Sequence, residues 1–172
     1  MKTTISVLIP GSFDPITVGH MDIITRAAAM FDKVFVAVMT NDMSRYAPGA
    51  TDKEYLFDRQ QRLQFAETAC AHLPNVTVLA ADGLLIDLVD QLGVSAVIKG
   101  VRNETDFAYE QKHALWNRAH NPAAETLYLP ADPSLEAVSS TEVRARLVCD
   151  GDLSGLVPAP VLKLWRDMKI LD

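Results

Sequence analysis

The residues PGSFDPITVGH, Pro10 to His20, follow directly on the apolar run ISVLI, Ile5 to Ile9, and the handover between the two decides the fold. A short β-rich run breaks into a turn with two prolines, two glycines and an aspartate, then leads into a helix whose first turn holds Gly19 and His20. That is the opening half of a strand–turn–helix unit. It also has the makings of an anion site. A helix N-terminus presents unpaired backbone N–H groups and the positive end of its dipole, and Gly11 and Gly19 let a phosphate approach the backbone with no Cβ in the way. His20 adds a side-chain donor, Ser12 a hydroxyl, and Asp14 before Pro15 a rigid turn that holds the loop in shape.

Outward from this unit the pattern repeats. KVFVAVM (33–39), NVTVLAA (75–81), SAVIKG (95–100) and ETLYLP (125–130) are further strand candidates, and helical spacing fills 19–31, 58–73, 84–92 and 104–120 between them. Strands apolar on both faces and separated by amphipathic helices predict an α/β fold: a single Rossmann-like, doubly wound domain over 1–172, with a five-stranded parallel sheet and helices on both faces. After the fifth strand, SSTEVRARL opens a capped helix near Ser139 or Ser140, and a last helix begins around Pro158, so that 139–172 forms a C-terminal helical part. The segment TNDMSRYAPGATDKEY (40–55) has no periodicity and is long for a connection inside a compact domain. It follows the C-terminal end of a strand, where open α/β sheets place their ligands, and so reads as an active-site loop.

Bulk properties narrow the function. A chain of 172 residues with 49% hydrophobic and 22% charged residues has the composition of one compact globular unit. The net charge of −6 argues against a duplex DNA binder, yet leaves room for a local basic pocket that takes a small phosphorylated molecule. Cys70 and Cys149 match no metal-ligand or Cys-x-x-Cys spacing and read as free thiols of a reducing compartment. The five-residue apolar run before Pro10 is too short for a signal peptide or a membrane span, so a cytoplasmic location is expected. P-loop, G-x-G-x-x-G, G-x-S-x-G and H-E-x-x-H motifs are all missing, which removes the usual apparatus of P-loop hydrolysis, dinucleotide oxidoreduction, serine hydrolysis and zinc proteolysis.

Two further stretches fall on the same sheet edge as His20. In IKGVRNETDFAYE (98–110), Lys99 and Arg102 flank Gly100 at the end of the fourth strand and could hold two phosphate groups. Ser139, Ser140 and Thr141 open a helix after the fifth strand, where one serine can cap while the next binds. Glu110, six positions beyond Glu104, reads by itself as surface charge. His72 sits late in its helix, His113 and His120 are seven apart, and Phe107 and Trp116 at helical spacing read as core or interface.

With these residues in place, the sequence resembles the T/H-x-G-H nucleotidyltransferase superfamily and, within it, the family of bacterial phosphopantetheine adenylyltransferases. PGSFDPITVGH is similar to that family's first motif, DFAYE with NR at 117–118 to its middle signature, and VSSTEVR to its final Ser-Ser-Ser/Thr motif. The resemblance implies reversible adenylyl transfer from ATP, with Mg²⁺, to 4′-phosphopantetheine, giving dephospho-coenzyme A and pyrophosphate. It implies a homohexamer, with coenzyme A as a feedback inhibitor. It places Ser12, Phe13, His20, Gly100, Arg102, Glu110 and the 135–141 segment, including Val138, Ser139, Ser140 and Thr141, around ATP. By the same resemblance Ser12, Leu85 and Lys99 would face phosphopantetheine. His20 and Ser12 are the expected catalytic donors, joined by a basic residue of the 40–55 loop.

The chain departs from the family at three places. Lys99 stands where arginine is usual and cannot grip a phosphate through a planar fork. The family's Ser-Lys-Lys run near 43–45 is replaced by MSR followed by an insertion of roughly nine residues, leaving Arg45 or Lys53 to take the place of the catalytic lysine. Lys112 stands where glutamine is favoured. Two other functions fit the same residues: nucleotidyl transfer to nicotinamide mononucleotide or to a phospho-alcohol, and nucleotide sensing without turnover.

Overall fold

The computed structural model describes residues 4–40 and 54–171. Among the described residues five strands and six helices follow in the order β1 (Ser6–Gly11), α1 (Val18–Met30), β2 (Lys33–Met39), α2 (Arg59–Cys70), β3 (Val76–Ala81), α3 (Leu85–Leu92), β4 (Ala96–Val101), α4 (Glu104–His120), β5 (Thr126–Pro130), α5 (Ser140–Val148) and α6 (Ala159–Asp167). A 3₁₀ turn, Pro133–Leu135, precedes α5.

All strand pairs are parallel and the sheet order is β3-β2-β1-β4-β5. The chain therefore winds outward from β1 to β3, crosses back through α3, and winds the other way from β4 to β5. Such a reversal opens a crevice at the carboxyl ends of the two strands on either side of it, here β1 and β4. Gly11 ends β1 and Val101 ends β4.

The period of two along β1 explains the two-sided core. Val7 and Ile9 join Val34, Val36 and Ile98 in one cluster, covered by Ile23, Ile24 and Ala27 of α1, Phe65 and Ala66 of α2, Val143 of α5 and Trp165 of α6. Leu8 points the other way and packs with Phe35, Ala37, Val97, Leu88 and Val89. Strands buried on both faces and separated by helices are what the sequence pattern predicts. Trp165, fully buried, rests against Phe57 and Phe65 at ring distances of 5.1 and 5.4 Å.

The helices differ from expectation mainly at their ends. The second predicted helix extended to 73, but α2 stops at Cys70 and His72 lies in the turn beyond it. α4 departs in kind. Its seventeen residues include none that is buried, and Phe107, Tyr109, Leu115 and Trp116 are all exposed, so the core reading of Phe107 and Trp116 does not hold. Down one side of the helix Tyr109 packs on His113 (4.6 Å) and Trp116 stacks on His120 (4.0 Å).

Candidate active site

The turn after β1 is built around the ring of Phe13. This residue takes the left-handed conformation (φ 46°), which for a bulky residue persists only where its surroundings force it. The ring is buried and fills the space where Gly11 lacks a side chain: a Cβ there would lie 2.9 Å from Phe13 Cζ. Gly11 thus makes room for an aromatic ring, which corrects the expectation that its missing Cβ serves a phosphate. The other side of Phe13 meets His20 edge to face at 5.1 Å.

His20 is fixed by the helix it opens. Thr17 caps α1, its hydroxyl accepting from the His20 N–H at 3.3 Å, and the Thr17 N–H donates to His20 Nδ1 at 3.0 Å. This is a capping box with histidine in the place usually held by glutamate or glutamine. A nitrogen that accepts an N–H carries no proton, so the neutral ring bears its proton on Nε2.

Three charged groups brace the turn from behind. Asp14 is fully buried, and its carboxylate accepts from the Leu56 and Phe57 N–H groups, both at 3.0 Å. Arg144 of α5 donates to the Asp14 carbonyl at 2.6 Å and lies 3.6 Å from its carboxylate. Arg62 of α2, 1% exposed, donates through Nη1 to the Ser12 carbonyl at 2.6 Å and the Met39 carbonyl at 3.2 Å, with its guanidinium 4.1 Å from the Tyr55 ring. Burial pulls Arg62 below its ordinary pKa, opposed by Tyr55 and Asp14.

α5 brings a second helix N-terminus to the first. Ser139 caps it by accepting from the Glu142 N–H at 3.0 Å, while the Ser140 hydroxyl donates to the Pro15 carbonyl at 2.8 Å. Val138 lies 3.8 Å from the point a Gly19 Cβ would occupy. Two dipole ends of the same sign therefore converge beside the β1 turn, which favours an anion between them. Nothing near Gly19 excludes a Cβ, its nearest contact being an ordinary 3.6 Å to Thr17.

Across the crevice, the cations at the end of β4 are each held by a carboxylate of α4. Lys99 Nζ is 3.1 Å from Glu110. Arg102 grips Asp106 with both prongs, Nε at 2.6 Å and Nη2 at 3.0 Å, which holds the Asp106 carboxyl below its usual range and raises Arg102 further. Glu110 is thus half of a polar pair with Lys99, where sequence alone read surface charge. Gly100 between the two cations is needed for packing, since a Cβ there would fall 2.7 Å from Ile23 Cγ1 of α1.

The structure therefore gathers Ser12, Phe13, His20, Val138, Ser139, Ser140 and Thr141 on one side of the crevice and Lys99, Gly100, Arg102 and Glu110 on the other. Leu85 stands apart, at the start of α3 after the edge strand β3, packed on the second core cluster. Arg45 and Lys53, with most of the 40–55 segment, lie outside the described residues. Sequence reading missed Arg62, Arg144 and Asp106. For Arg62 a signal existed, because it falls on one helical stripe with Phe65, Ala66 and Ala69, all buried.

Comparison with known proteins sets this geometry beside that of relatives. The model of the cytidylyltransferase-like family matches residues 8–146. A phosphopantetheine adenylyltransferase of Actinobacillus succinogenes is 44% identical over 94% of this chain and 93% of its own length. That of Levilactobacillus brevis is 44% identical over 93% of both chains, and that of Pasteurella multocida 41% over 96% of this chain and 99% of its own. Among solved structures, a Vibrio parahaemolyticus protein described as a nicotinate-nucleotide adenylyltransferase superposes with a TM-score of 0.66 over 98% of this chain and 95% of its own, at 16% identity, a likeness of fold alone.

Proposed function

The chain belongs to the cytidylyltransferase-like family and, within it, to the phosphopantetheine adenylyltransferases, and from that premise we propose how its crevice carries out the reaction. It transfers the adenylyl group of ATP to 4′-phosphopantetheine, releasing pyrophosphate and giving dephospho-coenzyme A, a step of coenzyme A biosynthesis. An oxygen of the acceptor phosphate attacks the α-phosphorus of ATP, and the bond from that phosphorus to the bridging oxygen breaks. The acceptor is already ionised at neutral pH, so positioning and charge stabilisation account for the catalysis and no general base is required.

The observation that carries the reading is the convergence of the α1 and α5 N-termini beside His20, opposite Lys99 and Arg102. His20 Nε2–H, the Ser12 hydroxyl, the Phe13 N–H and the opening N–H groups of α5 would stabilise charge on the α-phosphate and hold the leaving phosphates. Arg102 would steady the leaving pyrophosphate and Lys99 the acceptor phosphate. Each must exchange its α4 carboxylate for a phosphate oxygen, which offers a stronger, multiply charged acceptor. Mg²⁺ would arrive with ATP, whose phosphate oxygens would supply ligands to it, and would neutralise charge on the leaving pyrophosphate. Arg45 or Lys53 would complete the cation set. Leu85 would meet the pantetheine arm.

The homohexamer expected from the family would cover the exposed Tyr109, Leu115 and Trp116 of α4, a helix with no fully buried residue in the single chain. No helix among the described residues is long and apolar enough to cross a membrane, and the buried Cys70 and exposed Cys149 are both free thiols, which suits a cytoplasmic location. Coenzyme A, which contains the product, is expected to compete at the same crevice. The test is pyrophosphate release from ATP·Mg²⁺ with 4′-phosphopantetheine, nicotinamide mononucleotide and glycerol phosphate side by side. Release with the first alone is expected. Equal release with another acceptor, or binding of ATP without release from any, would overturn the reading.

A further inference from the structure

Arg62 is the one described arginine that is almost wholly buried. A buried guanidinium contributes little to stability that an apolar side chain of its size would not match. Its Nε, moreover, has no hydrogen-bond partner among the described residues. What Arg62 does have is a 2.6 Å hydrogen bond to the carbonyl of Ser12, at the point where the chain leaves β1 for the Phe13 turn.

That carbonyl shares a peptide unit with the Phe13 N–H. The unit is trans, the only cis bond among the described residues being Asp14–Pro15, so its N–H is directed opposite to its C=O and away from Arg62. A cation on the oxygen draws electron density through the amide and makes the N–H a stronger donor. The positive φ of Phe13 keeps the unit in this orientation, the Phe13 ring lies against His20, and no described group accepts from the Phe13 N–H.

We propose that Arg62 is a positioning residue for the transfer, which acts through the Ser12–Phe13 peptide to aim and strengthen the Phe13 N–H toward the oxygens of the α-phosphate. The inference rests on the adenylyl-transfer reading and adds a residue to it that touches no substrate. Charge grows on those oxygens as the acceptor oxygen adds and the pyrophosphate leaves, so a donor fixed beforehand lowers the barrier more than it tightens ATP binding.

The experiment compares wild type, Arg62→Met and Arg62→Lys by pyrophosphate release, well below each melting temperature, with ATP and with the two diastereomers of ATP carrying sulfur on the α-phosphate. Outright loss of an oxyanion donor costs about 10²–10³ in kcat, so a donor weakened from behind should cost about ten- to a hundredfold in Arg62→Met, with KM for both substrates within about twofold. The preference between diastereomers should shrink with it, because sulfur accepts an N–H poorly. Arg62→Lys, which can still donate to the Ser12 carbonyl, should recover part of both. The inference is overturned if both variants keep kcat and the preference within about threefold of wild type, or if the whole loss falls on KM. If Arg62→Met does not fold, Arg62→Lys decides on the same criteria. Silence of the wild type with ATP would overturn the transfer reading itself, and the inference with it.

Discussion

α1 and α4 both open at the carboxyl edge of the sheet, each with a capped first turn beside candidate phosphate ligands, yet they are held in opposite ways. The first turn of α1 is locked from every side: Thr17 and His20 cap each other, the Val18 N–H donates to the Leu156 carbonyl at 2.9 Å, and Ile23, Ile24 and Ala27 anchor the helix in the core. α4 has no fully buried residue, only Phe107 meeting Tyr128 of β5 ring to ring at 5.0 Å, and its first two turns are tied down through Asp106 and Glu110 to the cations of the site. One side of the crevice offers fixed dipoles, the other exchangeable ion pairs. Developing charge is best met by donors that need no rearrangement, whereas substrates must displace something to bind, and the two helices divide these tasks.

The contrast breaks most readily at Asp14, on which the locked side hangs. Asp14→Ala takes the carboxylate from beside Arg144, leaves the buried Arg62 with Asp58 alone of its two carboxylate neighbours, and frees the Leu56 and Phe57 N–H groups. Equilibrium denaturation should show a loss of about 3–5 kcal/mol. His20 comes next. His20→Ala should cost about 2.7–4 kcal/mol of transition-state stabilisation in kcat. His20→Gln separates the two duties of the residue: glutamine restores the capping box, and with it the stability of α1, but not turnover. Recovery of kcat in His20→Gln would mean that the cap, not the Nε2–H, is what the reaction uses.

A smaller effect is expected where the two sides meet. Gly100→Ala drives a methyl into Ile23 and should cost about 1–3 kcal/mol in denaturation. Gly19→Ala meets only ordinary contacts, so its stability should hold while KM for ATP rises if phosphate passes over that backbone. The smallest change is at the exchangeable pair. Asp106→Asn should alter stability at neutral pH by under about 1 kcal/mol, as partly exposed ion pairs do. The Asp106 carboxyl is held below its ordinary value in the folded chain, so the pair's contribution is present above the usual aspartate range of about 3.9 and disappears as the pH falls through the lowered value. Acid titration of wild type and variant should therefore diverge at neutral pH and converge in acid. Persistent divergence below that range would mean Asp106 acts through packing.

Much of this was legible beforehand. Period-two strands and period-3.6 helices are local, and they gave the sheet, its parallel sense and the edge where the motifs gather. The missing information is of another kind. A glycine in a sequence shows that a Cβ is unwelcome but not what stands in its place, and at Gly11 and Gly100 that space is filled by Phe13 and Ile23. A charged residue in a helix reads as solvated by default. Arg62 betrays itself only by its register with buried neighbours, and its hydrogen bond to Ser12 spans fifty residues that no local pattern connects. Likewise Glu110 is unremarkable until the fold sets it against Lys99.

The placement of the two tryptophans gives each side of the crevice its own optical signal. Trp165 sits in a dry aromatic cluster with Phe57, whose backbone is bonded to Asp14, and Trp116 lies on the open side of α4. Trp165 should therefore emit in a blue band insensitive to soluble quenchers, while Trp116 should be red and readily quenched in a separated chain and shielded where α4 meets a second copy. Replacing either tryptophan by phenylalanine leaves a chain in which a single chromophore follows one helix alone as substrates arrive.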